Sequence, residues 1–220
     1  MLFFVSKPYY DVRSKIKSNQ MKLSISEVEN KLNQFDYHLL KKPEKNKGSR
    51  GQILEQMLGI ENSSRLLDLI DGEFKSFTVG QTIAVTQIKH CLKEIIEDSV
   101  EFENSKVFEK LKKTIYVGFT RNNKFAKSKT ISQENSPKHF QELAEDYGYI
   151  SSKIKESYVT GKELSTTTGP NKILQIRTKA SKNSNGFYTP LCYSNVQLKN
   201  KYMAFYLCST FGKEIMYGKK

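Results

Sequence analysis

Asp68, Glu73 and Lys75, set in Asp68-Leu-Ile-Asp-Gly-Glu73-Phe-Lys75, are the residues whose types and spacing point most directly to chemistry. Carboxylates are hard oxygen ligands of the kind Mg2+ takes. Such an ion polarises a phosphoryl oxygen and activates water. A lysine beside it can orient that water or stabilise developing charge. On a strand, Glu73 and Lys75 stand two positions apart and project from one face. The chemistry this trio would serve is phosphodiester hydrolysis. Alone the pattern is weak. Glu-x-Lys recurs at Glu29-Asn30-Lys31, and such neighbours on an ordinary strand also make a simple ion pair.

These groups need elements to hold them. Residues 73–79 alternate polar and apolar side chains and read as a strand, with residues 82–88 as the expected hairpin partner after Gly80-Gln81. Upstream, a helix is expected from about Ser49, carrying Ile53, Leu54, Met57 and Leu58 on one side and Glu55 off that stripe. An earlier helix is signalled by Ser26 and Glu29 in a capping-box pattern, with Ile25, Val28, Leu32 and Phe35 apolar. Residues 41–50 read as a basic loop. The apolar opening, residues 1–5, is too short to span a membrane and reads as core or an early strand.

Downstream, residues 87–98 read as helical. Residues 106–113 form a firmer helix in which Val107, Phe108 and Leu111 are apolar and Lys110, Lys112 and Lys113 basic. It runs into a strand at 114–119. Ser136-Pro137 opens a long helix striped by Phe140, Leu143, Ala144, Tyr147, Ile150, Ile154 and Tyr158, with Gly161 ending it. Residues 164–171 are small and polar and read as a flexible loop suited to a ligand backbone. A strand at 172–179, a loop near 183–186, a strand at 203–207 and a final helix capped by Ser209 complete the chain. The mixture indicates one α/β or α+β domain, a central mixed sheet flanked by helices.

Composition narrows the partner. Lys and Arg number 36 against 23 Asp and Glu, a formal charge of +13 over 220 residues. That surplus suits a polyanion, most often nucleic acid, through phosphate neutralisation. Cys91, Cys192 and Cys208 are far apart and form no C-x-x-C pair, which disfavours a zinc site or a disulfide framework and fits the cytoplasm. His38, His90 and His139 lack metal-ligand spacing, and there is no phosphate-binding P-loop.

The order of several blocks adds weight to the trio. KGSRGQILEQMLG (47–59), DLIDGEFKSF (68–77), SKVFEKLKKTIYV (105–117), ILQIRTKA (173–180) and FYLCSTF (205–211) follow one another. This succession resembles the MutH-like DNA endonucleases, the family of the mismatch-repair nickase and the type II restriction enzymes that cut GATC. The most specific pieces are K-G-x-x-G-x-x-L-E and L-Q-I-R-x-K-A.

The resemblance implies a restriction-endonuclease-like fold, double-stranded DNA as substrate, and cleavage leaving a 5′-phosphate and a 3′-hydroxyl. It divides the domain into an N-terminal helical region of about 1–46, catalytic motifs at 47–117 and a DNA-recognition part at about 136–211. By position it implies Glu55, Asp68 and Glu73 as Mg2+ ligands and Lys75 as the motif lysine. Lys110 would be a basic residue approaching from a neighbouring helix. Lys47, Arg177, Lys179 and Tyr206 would lie near DNA or support its groove. The family spacing leaves six residues between aspartate and glutamate, whereas Asp68 leaves four. Either the connecting loop is shorter or Asp71 takes the ligand role. Asp68 is favoured, because Asp71 leaves little chain to bring a separate carboxylate to the same ion. A restriction enzyme of this size would cut both strands as a homodimer on DNA or by nicking twice. A nickase would act with mismatch-repair partners.

Overall fold

The computed structural model describes residues 22–40, 49–61, 66–179 and 182–218. The expected early strand at 1–5 and Lys47, with nearly all of the basic loop at 41–50, fall outside them. The chain is a mixed α+β protein whose strands divide into a mixed and an antiparallel sheet, with a separate two-stranded ribbon, flanked by helices. Among the described residues no helix is long and apolar enough to cross a membrane.

The first sheet places β1 (Glu73–Thr78) parallel to β3 (Lys113–Phe119), which in turn pairs antiparallel with β4 (Phe125–Ser132). Its two faces carry separate cores. Phe74, Ile115, Val117 and Phe119 pack under α1 (Ile25–Asn33) and α2 (Ser49–Leu58), with Val28, Leu54 and Leu58 buried among them. Phe77, Tyr116 and Ile131 face the larger core. That core is shared with α5 (Pro137–Thr160) and with the second, antiparallel sheet. The second sheet runs in the order β2 (Ile83–Gln87), β9 (Met203–Leu207), β6 (Leu174–Thr178), β5 (Thr167–Thr168). The ribbon joins β7 (Leu191–Tyr193) and β8 (Val196–Lys199).

The two strands expected to form a hairpin do not pair with each other. At its end β1 stays on β3 through the Val79 amide and the Phe119 carbonyl at 2.8 Å. The chain then turns at Gly80, φ +86°, and β2 joins β9 in the other sheet. Alternation identified both strands, but their partners lie far along the chain.

The helices follow the expected pattern with local corrections. Helix α1 is capped by Ser24 with Glu27, one S-x-x-E pattern earlier than Ser26 with Glu29. A distant contact favours this choice: the Ile25 amide donates to Asp71 Oδ1 at 2.8 Å. The stretch 87–98 divides into a 3-10 turn at Ile88–His90 and α3 (Leu92–Ile96). Helix α4 (Lys106–Leu111) is capped by the Ser105 side chain, and Lys113 already begins β3. Helix α5 opens with Pro137 in its first turn and ends at Gly161 in the left-handed conformation, φ +69°. Helix α6 (Ser209–Tyr217) is preceded by Cys208 rather than Ser209 in the capping position, with Cys208 held extended by the hydrogen bond its amide donates to the Ile173 carbonyl at 2.7 Å.

Candidate active site

Parallel pairing fixes the first two groups. Glu73 lies opposite Thr114 and Lys75 opposite Tyr116, so both side chains leave β1 on the face of the larger core. Glu73 is 1% exposed. A carboxylate buried to that degree needs charged or hydrogen-bonding partners, and it has three. Lys75 Nζ lies 2.5 Å and Lys110 Nζ 2.9 Å from Glu73 Oε1. The Asp68 amide donates to Glu73 Oε2 at 3.2 Å.

Lys110 reaches the carboxylate because of how α4 joins β3. The Thr114 hydroxyl donates to the Lys110 carbonyl at 3.1 Å, and Thr114 is the register partner of Glu73. The last turn of α4 is thereby seated beside Glu73. Lys110 is brought to Glu73 and Lys75, more than thirty residues earlier in the chain, by one strand pairing and one side-chain hydrogen bond.

Asp68 is held by a turn that folds back on β1. The Leu69 amide donates to the Gly72 carbonyl at 3.0 Å, and the Phe74 amide donates to Asp68 Oδ2 at 3.4 Å. Asp68 Oδ2 lies 3.8 Å from Lys75 Nζ, so one ammonium stands beside both carboxylates. Gly72 permits the turn: a Cβ there would stand 2.4 Å from the Lys113 carbonyl oxygen and 2.5 Å from Ile25 Cδ1. Asp71 is committed elsewhere, accepting from the Ile25 amide and pairing with Lys113 Nζ at 2.6 Å. The geometry therefore groups Asp68, and not Asp71, with Glu73 and Lys75.

Glu55, on α2, meets the cluster through charge rather than contact. It is half-buried on the side of that helix near Ser76. Burial raises its pKa above the usual 4.5, the Asp68 charge raises it further, Lys75 opposes, and Glu73 adds a last increment. Glu55 thus stands within range of the Asp68, Lys75 and Glu73 charges.

The residues expected near DNA are arranged on the second sheet. Arg177 is exposed on β6, its guanidinium 5.8 Å from the centre of the half-buried Tyr206 ring on β9. Lys179 lies just beyond β6, where its amide donates to the Tyr202 carbonyl at 2.9 Å. Its ammonium is held below the ordinary lysine range by partial desolvation, then by repulsion from Lys75. Lys179 thus stands within range of the Lys75 charge. Lys47 lies outside the described residues.

One structural carboxylate was missed by the sequence reading. Asp146 is 0% exposed on the apolar stripe of α5, three residues after Leu143. It accepts from the backbone amides of Asn171, Ile173 and Leu174 at 2.7, 2.9 and 2.8 Å. A Cβ on Gly169 would stand 2.2 Å from Asp146 Cγ, so only glycine fits there. The segment 164–171 is accordingly braced against α5 and paired through β5 to β6, not a free loop. A lone Asp on an apolar helical stripe was the available signal.

Among the described residues, no three His, Cys, Asp or Glu groups form a ready metal cage. Lysine ammoniums neutralise Glu73 instead. The donor chemistry nevertheless fits a hard divalent ion: Asp68 and Glu73 present carboxylate oxygens to one shared ammonium, a cation's place. No protein-family model and no curated protein sequence gives a significant match to the chain.

Proposed function

We propose that the chain is a Mg2+-dependent, sequence-specific DNA endonuclease of restriction-endonuclease-like fold, acting as a type II enzyme with GATC as the expected site. The observation that carries this reading is the convergence of Asp68, Glu73, Lys75 and Lys110 from the turn before β1, β1 itself and α4, with Glu55 of α2 within range of their charge. A structural ion pair needs one carboxylate and one lysine. It does not need two further carboxylates within range, at a cost to one of them.

Asp68 and Glu73 would hold Mg2+, with Glu55 contributing, and the ion supplies phosphate polarisation and a more acidic water. Lys75, beside both carboxylates, is placed to orient the attacking water and stabilise charge developing on the phosphate. Lys110 fixes Glu73 Oε1 from the opposite element. Arg177 and Lys179 neutralise flanking phosphates, and repulsion between Lys179 and Lys75 is relieved when an anion lies between them.

A second reading, a catalytically silent DNA-binding domain, is favoured by the double lysine pairing of Glu73. Supercoiled plasmid carrying GATC, incubated with Mg2+, separates the readings. Linear product supports the type II enzyme, and open circle alone indicates a nickase of the mismatch-repair kind. DNA binding without cleavage at any divalent ion or sequence would leave the silent domain.

A further inference from the structure

Residues 182–188 form a small exposed hairpin. It follows shortly after Lys179, which lies just beyond β6. Lys182 bridges to Tyr188, the Asn183 amide donates to the Phe187 carbonyl at 2.8 Å, and Gly186 turns the chain at φ +80°. The Asn183 side chain accepts from the Asn185 and Phe187 amides at 3.0 Å each, so the tip is internally ordered.

Its surface combines cations with aromatic rings. Lys201 Nζ lies 4.4 Å and Lys182 Nζ 5.7 Å from the centre of the Tyr188 ring. Phe187, its neighbour, is 71% exposed. An ordered hairpin that exposes a phenylalanine next in the chain to a tyrosine flanked by two lysines has the chemistry of an arm that grips a polyanion and inserts an apolar group among bases.

We propose that the 182–188 hairpin is a DNA-gripping arm, with Lys182 and Lys201 on phosphates and Phe187 entering a groove of the duplex. This rests on the nuclease reading for its substrate, and charge complementarity argues for DNA as the occupant. The two lysines contribute counterion release, whereas Phe187 contributes contact that salt does not screen.

The test is binding of the full chain to a GATC duplex of about three helical turns across a salt series, with Ca2+ replacing Mg2+. The double variant Lys182→Ala/Lys201→Ala is expected to lower the slope of log affinity against log salt by about two. Phe187→Ala is expected to weaken binding roughly tenfold with the slope unchanged. Thermal melts of each variant control for folding, since these side chains lie outside the cores. Wild-type binding with either variant indistinguishable from it would overturn the arm and leave the nuclease reading intact. No binding by the wild type would overturn both.

Discussion

Glu73 and Glu55 carry the cluster's charge in opposite ways. Glu73 is matched by Lys75 and Lys110, so Glu73→Gln leaves two partly buried ammoniums without their carboxylate. Breaking a buried pair costs about 3 kcal/mol or more, and the residual exposure of the lysines places this one near the lower end. Urea denaturation is expected to show that loss. Glu55 has the reverse problem: its pKa is raised by burial first, then by Asp68, with Lys75 opposing and Glu73 adding to it. A carboxylate whose folded pKa lies above its unfolded value contributes stability that is full below the ordinary value and lost as pH rises through the folded one. Glu55→Gln should therefore raise the melting temperature near neutral pH and leave it nearly unchanged below the ordinary carboxylate pKa. Equal effects in both conditions would remove Glu55 from the cluster.

Elements determine whether these residues meet, and here the sequence was only partly legible. Alternation found β1, and helical spacing found α2 and α5, because those signals are local. Pairing partners were not local: β1 takes β3 and β2 takes β9. The strands β4, β5, β7 and β8 were not identified from the sequence. Asp71 is bound to the Ile25 amide and Lys113, contacts with residues more than forty positions away that the local sequence does not reveal. Asp146 governs the segment before β6 in the same long-range way. Asp146→Ala would leave three backbone amides without their acceptor. At about 1–3 kcal/mol for each unsatisfied group, and less than additively, a loss of about 3 kcal/mol is expected by denaturant titration. A change below about 1 kcal/mol would mean the segment is held by its strand pairing alone.

At the scale of the molecule, the +13 charge and the carboxylate cluster are complementary features. In the proposed function the positive charge draws a polyanion, and Asp68 and Glu73 bring two carboxylates to one ammonium on that basic surface. Metal-dependent cleavage centred on Asp68 is tested most directly by the initial rate of GATC plasmid cleavage in Mg2+ by the wild type, Asp68→Ala and Asp71→Ala. Wild-type cleavage should be abolished by chelation. Asp68→Ala should lose about a hundredfold or more, and Asp71→Ala should keep near wild-type turnover per folded molecule. Full activity in Asp68→Ala, or no cleavage by the wild type with any divalent ion, would contradict that role.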